Sequence, residues 1–131
     1  MEDQGPVGWT GIRGLNKTKE PNVFSSCDSK GYSDPLPGVR MKTLCYGDKT
    51  LLSEFRLTGG TVLPLHSHVY EQTGYLVSGR LLLTIGDEQH EVAPGDSWSI
   101  PGDVRHGAKC LEDAVAIEVF APVREDYLPL T

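Results

Sequence analysis

The sequence predicts an all-β fold, a small barrel or jelly roll carrying an extended N-terminal arm. Three observations carry that expectation. Fifteen glycines and nine prolines fall between apolar runs rather than in blocks, the distribution of many short strands joined by tight turns. From Val39 to Phe120 the runs are short, β-prone and alternating, at the regular spacing of a β-barrel. No segment after residue 38 sustains apolar residues at i, i+3, i+4 and i+7, so almost no helix is expected. A chain of 131 residues, 38% hydrophobic, is one domain with room for a single core.

Residues 1–37 show little periodicity and are punctuated by Gly5, Gly8, Gly11 and Gly14, then Pro21, Gly31, Pro35 and Pro37. They read as an arm lying over the barrel or across a partner, or as a mobile tail. One short strand is expected near residues 22–26, and Trp9 is large enough to anchor the arm by burial. The barrel and a short C-terminal tail take up residues 38–131. Its first strands are Val39–Tyr46 and Leu51–Leu57, separated by the turn Gly47-Asp48 and closed by Gly59-Gly60. Strands follow at 61–66, 74–77 and 80–85, the last two joined tightly through Ser78-Gly79. Gly86-Asp87 leads to 89–92, Pro94-Gly95 to 96–100, and Pro101-Gly102-Asp103 to 106–110 and 114–120, roughly nine strands in all. In the tail, Tyr127 and Leu128 can pack back on the barrel.

Composition excludes several functions. A net charge of −6 argues against nucleic acid, whose phosphates need a basic face. No run of about 18 apolar residues is present to span a membrane. The N-terminus has no apolar h-region of a secretory signal. Cys27, Cys45 and Cys110 form no C-x-x-C pair and leave one thiol over in any disulfide scheme. A reduced, cytoplasmic setting is therefore expected, and the sequon Asn16-Lys17-Thr18 is a chance match. Gly11-Ile12-Arg13-Gly14 lacks the Lys-Ser/Thr of a phosphate loop, and no serine or cysteine sits in a nucleophile elbow.

The stretch GTVLPLHSHVYEQTGYLVSG, residues 60–79, carries the chemistry. Strand side chains alternate, so His66 and His68 point the same way, and parity sends Gln72 to that face and Glu71 to the other if the strand runs on through Val69-Tyr70. Neutral imidazole is the commonest protein ligand for divalent transition metals. Two imidazoles do not complete a site. His106 supplies a third, since Pro101-Gly102-Asp103 turns the chain just before it. Glu71 remains the alternative to Gln72, and His90, between Glu88 and Glu91, reads as a surface residue.

Gly60, His66-Ser67-His68, Gln72 and Gly79 match the first cupin motif, G-x5-H-x-H-x3,4-E-x6-G, with Gln for Glu. Gly95, Pro101, Asp103 and His106 match the second, G-x5-P-x-G-x2-H, with Asp for its second glycine. The asparagine usual after that motif is replaced by Cys110. Over about Val39 to Phe120 the chain resembles the cupin superfamily, in its small single-domain metal-binding form. The resemblance implies a double-stranded β-helix, a metal held by His66, His68, Gln72 and His106, and a homodimer. The ion would be a divalent transition metal: Mn, Fe, Ni, Zn or Co. With an amide in place of a carboxylate, the ion keeps its full positive charge, which favours Lewis-acid chemistry on a carbonyl or hydroxyl oxygen.

HSHVYEQTGYLVSGRL and EVFAPVREDYL look like the pectin-degradation branch, whose members open the rings of unsaturated uronates. The implied function is a metal-dependent isomerase or ring-opening enzyme acting on a small oxygenated substrate. Asp103, Arg105, Tyr70 and Arg124 are the candidates for catalysis, the arginines as bidentate partners of a sugar carboxylate. Each has a bland counterpart: Asp103 a turn former, Arg105 and Tyr70 rim residues, Arg124 a salt bridge of the tail. Trp98 and Tyr75 read as packing residues, and Cys110 as a packed thiol. An iron-dependent dioxygenase and a non-catalytic sugar- or effector-binding module are the competing functions.

Overall fold

The computed structural model describes residues 20–129. Trp9 and the sequon at Asn16 lie outside the described residues. Eight strands follow one another: β1 (Tyr32–Leu36), β2 (Val39–Tyr46), β3 (Leu51–Leu57), β4 (Val62–His66), β5 (Glu71–Ile85), β6 (Glu88–Val92), β7 (Ser97–Ile100) and β8 (His106–Ala121). One short 3-10 turn, Glu125–Tyr127, is the whole of the described helical structure. The all-β jelly roll is as expected, and β2 and β3 have the bounds that hydrophobic alternation assigns them.

β5 and β8 organise the molecule. They are 15 and 16 residues long and pair antiparallel from Glu71↔Ala121 to Ile85↔His106. On its other side, the first half of β5 pairs with β7 and the second half with β6. The first half of β8 likewise pairs with β4, and the second half with β3. The eight strands form one continuous hydrogen-bonded sheet with two arms, β1-β2-β3-β8-β5-β7 and β4-β8-β5-β6, that share the long pair as it passes from one to the other.

That passage corrects the expected strand count. The strands foreseen at 74–77 and 80–85 are one bent strand, as are those at 106–110 and 114–120. The register slips at Leu76/Ser78, Ser78/Arg80 and Arg80/Leu81, so the Ser78-Gly79 signal marks bulges at a corner instead of a hairpin. Gly79 has φ of +86°, and a Cβ there would stand 2.2 Å from the Asp113 carbonyl oxygen. Only glycine lets the two backbones approach so closely at that bend.

β1 is not foreseen from the residue pattern, because Pro35 and the flanking glycines mask it. As an edge strand bonded only to β2, it tolerates a proline that a central strand would not. The strand expected near residues 22–26 is instead a single bridge, Asn22↔Tyr46, held by the Asn22 amide donating to the Leu44 carbonyl at 3.1 Å.

The core is double. Val39, Leu57, Leu76, Leu81, Leu83, Cys110 and Ala116 fill the barrel. Leu51, Tyr70, Phe120 and Leu128 form a second cluster under the tail. Leu128 is buried and the Thr43 hydroxyl donates to the Tyr127 carbonyl at 2.7 Å, so the tail packs back as expected. Burying such a side chain is worth about 1.5–3 kcal/mol. No helix among the described residues is long and apolar enough to cross a membrane.

Candidate metal centre

His66 is the last residue of β4 and stands opposite His106, the first of β8, in the β4–β8 register. The chain then leaves the sheet over residues 67–70. His66 and His68 therefore do not share a face by strand alternation, as the H-x-H spacing suggested; the strand stops between them. A backbone tie brings His68 in instead. Its carbonyl accepts the Asp103 N–H at 2.7 Å, lacing one motif to the other. Asp103 has φ of +67°, the left-handed region that explains a glycine preference there and that Asp tolerates better than most residues. Gln72 is buried on the inward face of β5, while Glu71 is exposed.

One ligand atom each from His66, His68 and His106 lies within 4.8 Å of the others. The rings are oriented by the same device three times over. Nδ1 of His66 bonds the Pro64 carbonyl at 2.8 Å, that of His68 the Tyr70 carbonyl at 3.0 Å, and that of His106 the Val104 carbonyl at 2.9 Å. A carbonyl only accepts, so each Nδ1 keeps the proton and each Nε2 presents a lone pair.

The donor set fits a cation. His106 Nε2 is buried without any hydrogen-bond partner, a state that costs about 1–3 kcal/mol unless something occupies the lone pair. His68 Nε2 lies 3.0 Å from Gln72 Oε1, and the Gln72 amide nitrogen is committed to Glu118. Two acceptors thus face each other. Three imidazole nitrogens and one amide oxygen suit a divalent transition metal. His66, His68 and His106 are positioned to bind one, and Gln72 lies beside them.

His68 and His106 are kept neutral. Burial, then the positive charge of Arg124 and of the other two rings, pushes His68 down to about 4. His106 is lowered chiefly by burial, with His66 and Arg124 adding to the effect. Both are therefore unprotonated, metal-competent ligands at neutral pH.

These side chains line one end of a cavity of about 150 Å³ inside the barrel, shared with Trp98, Glu118, Arg124 and Tyr127. Of the four candidate catalytic residues, Arg124 alone lines this cavity. Its Nε donates to both oxygens of Asp126, at 3.0 and 3.1 Å, and its guanidinium stacks 4.1 Å from the centre of the Tyr127 ring. Tyr70 is buried behind His68, ring centroids 5.8 Å apart, rather than on the rim. Asp103 and Arg105 are exposed on the loop before β8. Tyr75, expected to pack, is 49% exposed on the outer face of β5. His90 is exposed and Cys110 is buried, both as read from the sequence.

Sequence reasoning passed over Glu118. It sits on the inward face of β8, in the alternation Ala114, Ala116, Glu118, Phe120, and a carboxylate at an inward position of an apolar strand is the signal that would have found it. Gln72 Nε2 and Trp98 Nε1 both donate to its Oε1, the latter at 3.2 Å. Burial raises its carboxyl above the usual range, against those two hydrogen bonds and the Arg124 charge.

Residues 53–121, more than half of the chain, match the family model described as the cupin domain. An RmlC-like cupin from Shewanella frigidimarina superimposes with a TM-score of 0.79 at 24% identity, covering 84% of this chain and 99% of that one. KdgF from Halomonas sp. superimposes with a TM-score of 0.72 at 28% identity, covering 80% of this chain and 96% of that one. No curated protein matches the chain in sequence.

Proposed function

The chain belongs to the cupin family, and from that premise we propose that it is a metal-dependent enzyme that opens the ring of a small unsaturated uronate. The observation that carries this reading is the company the three imidazoles keep. One cavity holds a metal-competent histidine cluster, a carboxylate (Glu118) and a guanidinium (Arg124). The likeness to KdgF, a chain of similar extent, and the HSHVYEQTGYLVSGRL segment support the same branch.

The parts divide the work. His66, His68, Gln72 and His106 would hold the ion, which supplies a Lewis acid for a carbonyl or hydroxyl oxygen. Arg124 faces a substrate carboxylate and fixes its orientation. Glu118, whose burial favours the protonated form, exchanges a proton with the substrate. In the reaction the anomeric hydroxyl loses its proton and its carbon–ring oxygen bond breaks, leaving an aldehyde and an enol. The enol's other alkene carbon then takes a proton while the enol hydroxyl gives one up, so that the carbon that bore the ring oxygen becomes a ketone and no net proton is gained or lost. The change is an isomerisation, so no electron acceptor is needed. Leu57, Leu81, Leu83, Phe120 and Trp98 give the cavity a largely apolar wall.

An iron-dependent dioxygenase is less well supported, because the amide of Gln72 stands where the carboxylate of a two-histidine, one-carboxylate triad would be. The deciding experiment is elemental analysis of the purified protein, followed by unsaturated uronates watched for loss of ultraviolet absorbance. We expect metal-dependent loss of absorbance without oxygen uptake. Oxygen uptake in an electrode would favour the dioxygenase. Ligand affinity unchanged in His66→Ala, with no turnover in the parent, would favour a binding module.

A further inference from the structure

Gly74, Trp98 and Glu118 lie in one row across three strands: Gly74 of β5 pairs with Trp98 of β7 on one side and with Glu118 of β8 on the other. All three lie on the inward face, and the middle position has no side chain. The Trp98 indole occupies the space left there. A Cβ on Gly74 would stand 2.1 Å from the indole carbon Cε2 and 2.3 Å from Nε1, distances no side chain tolerates. By crossing over the glycine, the indole reaches the far strand and donates to Glu118 Oε1 at 3.2 Å.

That oxygen is the one that also receives the Gln72 amide. Two donors thus converge on Oε1 from two different strands, and among the described residues no hydrogen bond to Oε2 is found. A carboxylate held at one oxygen by two donors has lost its rotation, and its remaining oxygen is the one free to carry a proton. The same bond steers the Gln72 amide so that Oε1 of Gln72 turns toward His68.

We propose that Trp98 is a positioning residue for the site: across the gap at Gly74, its indole N–H pins Glu118 Oε1, leaving Oε2 for the substrate and Gln72 Oε1 for the ion. The proposal goes beyond the sequence reading of Trp98 as packing. Its consequence for catalysis rests on the uronate reading above; its consequence for geometry does not. Trp98→Phe keeps an aromatic ring and removes the donor together with part of the indole's bulk. Gly74→Ala keeps the donor and removes the space.

The test reads both consequences. In nitrogen-15-labelled protein with Trp9→Phe, the Trp98 indole N–H is the only indole resonance. We expect it downfield and protected from exchange, moving upfield in Glu118→Gln and in Gly74→Ala, and shifting when Zn²⁺ is added. In the uronate assay we expect Trp98→Phe to lower kcat about 10- to 100-fold, the range for lost orienting partners, with KM within about twofold. An indole resonance unmoved by Glu118→Gln overturns the proposal whatever the activity. So does an unchanged kcat in Trp98→Phe. An inactive parent with the expected indole behaviour sinks the uronate reading and leaves the pinning of Glu118 standing.

Discussion

His68 Nε2 and Gln72 Oε1 face each other at 3.0 Å, while Nδ1 of the same ring faces the Tyr70 carbonyl at 3.0 Å. A neutral imidazole has one N–H, so whichever nitrogen carries it, a lone pair is left against an oxygen. Two things relieve this: a second proton, or a cation between Nε2 and Oε1. Burial and the nearby positive charges oppose the proton. The unmet demand of this pair, which a cation would satisfy, is the source of the first two expectations.

Metal should stabilise the fold strongly, because the lone pairs of His68 and His106 are left unsatisfied by protein alone. At a metal concentration 100 times Kd the gain is about 2.7 kcal/mol, roughly 10 °C in Tm for a chain of this size. Zn²⁺, Ni²⁺, Co²⁺ and Mn²⁺ titrated into chelator-treated protein during thermal melts will measure it. His106→Ala should abolish the shift, and a shift retained in that variant would remove His106 from the ligand set.

Much of this is legible in the sequence. The two motifs that resemble those of cupins grouped His66, His68, Gln72 and His106, and the four side chains do line one cavity. Glu118 was hidden by a different logic. It lies 46 residues from Gln72, and only the β5–β8 register brings the two together. Ser78-Gly79 misled for a related reason. A positive-φ glycine looks the same in a sequence whether the chain reverses there or bends around a corner, and only pairing partners decide which. Arg105 and Arg124 were indistinguishable as carboxylate partners until the tail folded Arg124 into the cavity and left Arg105 outside.

Acid should destabilise the metal-free protein through His68. Its folded value near 4 lies below the ordinary 6.5, so between those values the unfolded chain holds the extra proton. Stability then rises with pH across that window and is lost as pH falls from about 6.5 toward about 4. His106 acts in the same direction; Glu118, raised by burial, acts in the opposite one. His68→Gln isolates the contribution. Thermal melts of chelated protein from pH 7 to pH 4 should fall less steeply in that variant than in the parent, and parallel curves would show that the ring is not desolvated as described.

The three thiols should react in the order of their exposure. Cys27 is exposed, Cys45 half-buried and Cys110 buried. Burial, with Asp113 nearby, raises the Cys110 thiol, and its S–H is directed to the Glu112 carbonyl at 3.0 Å. The thiolate is the nucleophile, so iodoacetamide at pH 8 should label Cys27 within minutes and Cys110 only in denaturant, as read by peptide mass spectrometry. Rapid native labelling of Cys110 would mean that the β8 corner opens.

Arg124 should set selectivity for a carboxylate. Its side chain is only 11% exposed, yet its ion pair with Asp126 uses Nε, which directs the fork of the guanidinium away from that carboxylate. The rings of Tyr127, Phe120 and Tyr70 lie 4.1, 5.0 and 5.4 Å from it and hold the group flat by cation–π attraction. A charge-assisted hydrogen bond is worth about 1.5–3 kcal/mol, which corresponds to roughly a 10- to 150-fold loss of kcat/KM in Arg124→Ala. Lysine keeps the charge but not the planar fork, so Arg124→Lys should recover only part of the loss. The comparison that matters is between a uronate and its methyl ester: the parent should prefer the free acid, and Arg124→Ala should treat the two alike. Equal preference in the parent would leave Arg124 as a structural clamp between the tail and the barrel, with its aromatic neighbours explaining its burial.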